Sequence, residues 1–157
     1  MGIRTVKAAD YAPIAEHLDE WWDGRAMLDM LPRLFFEHFA STSFAFEADG
    51  AVAGFLIGFM SPTHPEQAYV HFVGVHPDHR GRRIAKRLYE RFFDEARAHG
   101  RKVVRCVTSP ANRGSIAFHT NLGFEVLPGD AEIDGIAVST DYDGPGQDRV
   151  GFSRSIA

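Results

Sequence analysis

The stretch from Tyr69 to Gly100 constrains this chain more than any other. An apolar run ends at Val75, and a basic turn, His76-Pro77-Asp78-His79-Arg80-Gly81-Arg82-Arg83, follows it directly. Ile84, Leu88, Phe92 and Ala96 then recur every four residues, with Ala85, Tyr89 and Phe93 beside them and Gly100 as the stop. That spacing predicts an amphipathic helix whose apolar stripe must be buried. A strand feeding such a helix through a tight turn requires a sheet for the helix to lie on, so the chain is read as mixed α/β.

The junction also carries a chemical meaning. A turn that opens into a helix aims free backbone N–H groups at one point, and the positive end of the helix dipole adds to them. Arginines on the rim suit phosphate oxygens. Residues 76 to 105 hold ten of the 17 Lys and Arg against four acids, whereas residues 130 to 148 hold six acids and no Lys or Arg. With a net charge of −4 the whole molecule is no polyanion binder, but one end is suited to an anion and another to a cation.

The rest of the chain fits one domain of 157 residues. Ile3–Val6 reads as a first strand, Asp10 as the N-cap of a helix up to Trp21-Trp22, and Met27 to Phe39 as a second helix. Phe44–Glu47 and Val52–Met60, joined at Asp49-Gly50, read as a hairpin. The Ala51–Met60 run is too short to span a bilayer. Lys102–Thr108 is a further strand, Arg113–Asn121 a short helix, and Phe124–Leu127 and Val150–Arg154 the last strands, with a Gly-, Pro- and Asp-rich surface loop between them. Cys106 is the lone cysteine, which excludes an internal disulfide and a cysteine-built metal site. The first ten residues show no apolar leader, so a cytoplasmic location is expected and no metal site is.

The motifs resemble those of the GNAT superfamily of N-acetyltransferases. Val75-His76-Pro77 followed by Arg80-Gly81-Arg82-Arg83-Ile84-Ala85 is similar to that family's acetyl-CoA binding motif, and Asn112 through Gly123-Phe124 to its second motif. The resemblance implies a mostly antiparallel sheet of six or seven strands, a splayed parallel pair and about four flanking helices. It implies that acetyl-CoA lays its pyrophosphate over the amides of residues 80 to 85, with Val73, Gly74, Val75 and Asn112 along the pantetheine arm. Gly74 is expected to form the bulge that splays the strand, with a backbone N–H at Gly74–Val75 meeting the oxyanion. Arg83 replaces the motif's central glycine and is expected to adopt helical dihedrals.

Acetyl transfer to an amine requires a base, because an amine near pKa 10 is mostly ammonium at neutral pH. By resemblance His71 is that base and His119, where many members carry a tyrosine, protonates the leaving thiolate. Trp21, Trp22 and Arg25 are expected to wall the acceptor pocket, with Tyr142 and the acidic loop opposite, for a small or peptidyl cationic amine. No nucleic acid or membrane partner is expected, and a homodimer is compatible with the pattern. Two alternatives stay open: a non-catalytic acyl-CoA sensor, and a nucleic-acid module built on the basic helix.

Overall fold

A computed structural model describes residues 2–22, 24 and 26–157. The strands are β1 (Gly2–Thr5), β2 (Phe44–Ala48), β3 (Ala51–Met60), β4 (Gln67–Val75), β5 (Val103–Thr108), β6 (Glu125–Val126), β7 (Ala131–Ile133), β8 (Ile136–Val138) and β9 (Val150–Ser155). The α-helices are α1 (Tyr11–His17), α2 (Leu34–His38), α3 (Ile84–Ala98) and α4 (Arg113–Asn121). Seven strands form one sheet in the order β1-β2-β3-β4-β5-β9-β6, antiparallel except for the β4–β5 pair. β7 and β8 form a separate hairpin in the stretch expected to be plain loop.

Two cores sandwich the sheet. Leu88, Tyr89, Phe92 and Phe93 of α3 pack on one face together with Ile116 of α4, and Ile14, Leu18, Leu31 and Phe36 pack on the other. β3 is buried on both faces, which explains its almost unbroken apolar sequence. α3 can lie close only because β3 omits side chains beneath it. A Cβ at Gly58 would stand 2.3 Å from the Phe92 ring, and one at Gly54 2.8 Å from Ile84. Gly54 pairs with Val75, so this contact seats the start of α3 beside the end of β4.

Two helix expectations are corrected. The Met27–Phe39 helix is broken into a 3₁₀ turn at Leu28–Met30 and the five-residue α2. Leu31 precedes Pro32, and the proline ring pushes its predecessor out of the α region, here to φ −131° and ψ 68°. Asp10 does not cap α1; its carboxylate accepts the Lys7 N–H at 2.8 Å and a two-pronged Arg4 pair at 2.8 and 2.9 Å. Burial works to raise the Asp10 pKa, but the Arg4 and Lys7 donors outweigh it and hold the carboxyl below its ordinary value. Among the described residues, no helix is long and apolar enough to cross a membrane.

Candidate active site

β4 and β5 pair only from Gln67–Tyr69 to Val103–Arg105 and then part. Beyond that point β5 stays paired with β9, and β4 with β3, so both strands turn an unpaired edge toward the gap. Backbone N–H groups alternate sides along a strand. The His76 N–H bonds the Ala53 carbonyl on the β3 side at 2.8 Å, so those of Val75 and Val73 face the gap.

The basic turn closes the wide end of that gap. Gly81 has φ +85°, and a Cβ there would meet nothing within 4 Å. The first α3 bond made by a backbone N–H runs from Arg87 to the Arg83 carbonyl at 3.0 Å, which leaves the amides of Ile84, Ala85 and Lys86 without an intrahelical acceptor. These amides border a groove of about 460 Å³ that also takes in Val75, Arg80, Gly81, Arg83, Phe118 and Leu122. Two arginines of the turn are partly committed elsewhere: the Arg80 guanidinium donates to the Trp21 carbonyl, and Arg82 lies 3.3 Å from His79.

The β4 irregularity falls at His71, not at Gly74 as expected. Phe72 pairs with Ile57 and Val70 with Gly58, leaving His71 as the extra residue of a bulge. The extra residue switches the faces of the strand. Ala68 and Val70 face the α3 core, but Phe72 belongs to the opposite core, and His71 stacks on Phe35 of α2 at 4.3 Å. Gly74 is needed for a different reason, since a Cβ there would sit 2.8 Å from the Trp22 ring and 2.9 Å from Phe55. The His71 Nε2–H donates to the Met30 carbonyl at 2.6 Å. A carbonyl can only accept, so this contact keeps a proton on Nε2 and leaves Nδ1 as the one ring nitrogen able to act as a base.

His119 is buried and fully engaged. Its Nδ1–H donates to the Ser115 carbonyl at 2.7 Å, which leaves Nε2 to accept the Tyr89 hydroxyl at 2.7 Å. Phe152 stacks on the ring at 5.0 Å, and burial pushes its pKa below the ordinary histidine value. Both nitrogens are therefore committed inside the fold, an arrangement unlike the free proton donor expected. Asn112 caps α4, accepting the Ser115 N–H at 3.1 Å. Cys106 lies close by, buried, its thiol pushed up to about 12 by burial.

The expected acceptor wall is rearranged. Trp21 is 4% exposed and packs edge-on to His76, so it presents almost no surface to a pocket; Trp22 is half-buried against Phe72. Arg25 lies outside the described residues. Tyr142 stands at the rim of a second groove, also about 460 Å³, on the face of the sheet away from α3. Most of the acidic loop serves its own fold. Asp141 accepts the Gly146 N–H and Asp148 the Asp141 N–H, each at 2.8 Å, Asp143 pairs with Arg149 at 2.7 Å, and Asp134 with Arg113 at 2.7 Å.

The sequence profile of the Acetyltransferase (GNAT) family matches residues 11–124. The chain belongs to the GNAT family. Over 79 residues it is 35% identical to L-2,4-diaminobutyric acid acetyltransferase of Nocardia farcinica, covering 50% of this chain and 41% of that protein. Over 56 residues it is 41% identical to the L-amino acid N-acyltransferase MnaT of Escherichia coli, covering 36% of this chain and 33% of the relative. The matches thus span less than half of either relative. A structure of yncA from Salmonella typhimurium with its cofactor acetyl-CoA superposes with a TM-score of 0.72 at 23% identity, covering 99% of this chain and 94% of the other.

Against the GNAT motif, Arg83 is the informative departure. It holds φ 59° and ψ 26°, the left-handed region, and not the helical dihedrals expected of it. The turn imposes on an arginine the geometry that the motif's glycine adopts without strain, at a cost of about 1–2 kcal/mol. Arg83→Gly should therefore raise stability by up to about 1 kcal/mol, or roughly 2–4 °C in a thermal melt, whereas Arg83→Val should lower it. A lower melting temperature for Arg83→Gly would contradict this account.

Two residues of the site were not singled out from sequence. Tyr89 reads as one more member of the α3 stripe, though a hydroxyl there needs a buried partner. Arg105 is a charge in the middle of the apolar run Val103–Val107, and that interruption is the signal that marks it.

Proposed function

We propose that this chain is an acetyl-CoA-dependent N-acetyltransferase that acts on the primary amine of a small molecule or peptide in a ternary complex. The observation that carries the reading is the meeting, at Val75, of an acceptor-free amide turn and an unpaired strand edge. A diphosphate fits the amides of Ile84, Ala85 and Lys86 at the positive end of α3, and an extended amide-bearing arm fits the open edge of β4 as an added strand would. Phe118 lines the same groove, and the motif resemblance places Asn112, at the start of α4, beside the arm. Bound there, the coenzyme supplies an activated acyl thioester.

The chain's own residues do the rest. His71 Nδ1 takes the proton from the incoming ammonium, and the Val75 N–H faces the gap where oxyanion charge develops. As the C–N bond replaces the C–S bond, the proton shed by the nitrogen goes to the departing thiolate. His119, bonded to Ser115 and Tyr89, holds the α3–α4 contact beside the gap. The buried, protonated Cys106 argues for direct attack over a cysteinyl intermediate. The names of the two relatives, one acting on diaminobutyric acid and one on L-amino acids, favour a small amine as acceptor.

Calorimetry should show coenzyme A binding, and thiol release from acetyl-CoA should rise on addition of at least one member of an amine panel. Binding without turnover across the panel would favour an acyl-CoA sensor. Absence of binding would sink both readings. The basic-helix module for nucleic acid is disfavoured because Leu88, Tyr89, Phe92 and Phe93 of that helix are in the core.

A further inference from the structure

The second groove lies on the same face of the sheet as His71. An aromatic row joins them: His71 stacks on Phe35, Phe35 meets Phe39 at 5.4 Å, Phe39 meets Phe59 at 5.3 Å, and Phe59 stacks on Tyr69 at 5.5 Å. Phe59 and Tyr69 line the groove. Its floor is crossed by Arg105, which pairs with Tyr69 in the parallel ladder at the last rung before the strands part.

Arg105 is the only arginine lining this groove that has no partner among the described residues. Arg149, the other, is neutralised by Asp143 at 2.7 Å and also donates to the Asp148 carbonyl and Gln147. Among the described residues no side-chain hydrogen bond is made by Arg105, and its Nε is buried without a partner. A buried Nε–H without an acceptor is costly, and a ligand carboxylate matching the planar fork would meet it together with the accessible Nη groups. The Tyr69 hydroxyl, raised above the ordinary phenol range by burial, stays protonated as a second donor beside it. Asp141, Asp143 and Asp148 of the nearby loop are tied to backbone N–H groups or to Arg149 and do not compete for this position.

We propose that Arg105 fixes the carboxylate of the acceptor, so that the enzyme takes amines carrying a carboxylate, the class of free amino acids, in preference to simple or amidated amines. This rests on the transferase reading above and reverses the cationic pocket expected from the acidic loop. Tyr69, on the rung beside Arg105, and His71 lie two residues apart on β4, and the bulge at His71 brings both side chains to the face away from α3. A small zwitterion with its carboxylate at Arg105 would direct its amine along this face toward His71.

The test compares α-amino acids with their matched carboxamides at saturating acetyl-CoA. In the wild-type protein kcat/KM for the acids should exceed that for the amides by about 10–100-fold. Arg105→Gln should collapse that ratio toward one, chiefly through KM, and Arg105→Lys should restore part of it. Equal use of acids and amides by the wild-type protein would overturn the proposal with no variant needed, as would a ratio that survives Arg105→Gln. If no amine is acetylated at all, it is the transferase reading that fails. In that case calorimetric titration of the same acids and amides into the coenzyme A complex still decides the matter, since acid binding lost in Arg105→Gln upholds the carboxylate site and absence of acid binding refutes it.

Discussion

Replacing His71 by Ala is expected to lower kcat/KM for acetyl transfer by about 10²–10⁴, the range in which a positioned general base contributes, while calorimetric coenzyme A affinity changes little. The size follows from how thoroughly the ring is prepared. The Met30 carbonyl holds the proton on Nε2, Phe35 holds the plane, and the bulge turns the side chain toward the acceptor face. Coenzyme A would lie along the open edge of β4 and around the α3 turn, held by backbone amides and not by the imidazole. His71→Gln separates chemistry from structure, because the amide can still donate to Met30 but offers no base at the Nδ1 position. Both variants should therefore lose rate together. Turnover by His71→Gln within about threefold of wild type would show that another group takes the proton.

The parts of the fold legible in the sequence are those fixed by local rules. The Asp49-Gly50 turn, the four-residue stripe of α3, the bounds of α4 and the Gly100 stop follow from short-range sterics and periodicity, and the structure has them where the sequence puts them. What was misread depends on contacts distant in sequence. Gly74 invites a bulge because glycine permits one, yet the register shift lies at His71, and Gly74 is small because Trp22, more than fifty residues earlier, lies over it. Arg83 has an ordinary helix preference, but closing the turn between Val75 and α3 demands a left-handed residue whatever occupies the position. The acidic loop reads as a cation wall from composition alone. Only its hydrogen bonds show most of those charges already spent, leaving Arg105 as the groove's unmet charge.

His119→Ala should cost about 3–5 kcal/mol of stability, which is large for a residue first read as a proton donor. Deleting the ring leaves a cavity among Phe124, Phe152 and Tyr89 and leaves the buried Tyr89 hydroxyl only the weak sulfur acceptor of Cys106 at 3.9 Å. Tyr89→Phe should cost less, about 1–2 kcal/mol, because it removes one hydrogen bond and opens little space. The same pair predicts a pH dependence of definite sign. Burial lowers the folded-state pKa of His119, so below the ordinary value near 6.5 the unfolded chain binds a proton that the folded chain resists. The stability contributed by the neutral ring is thus complete above about pH 6.5 and is lost as pH falls from there toward the folded-state pKa. Asp10, whose carboxyl is also held low, acts in a separate window, since its contribution persists until pH falls below its unfolded value of 3.8. Melting curves between pH 7.5 and 5, taken in ~0.5-unit steps, should therefore decline in the wild-type protein and flatten in His119→Gln. An equal decline in both would mean that another group buries its neutral form on folding, and that the Tyr89–His119 contact does not hold the ring neutral.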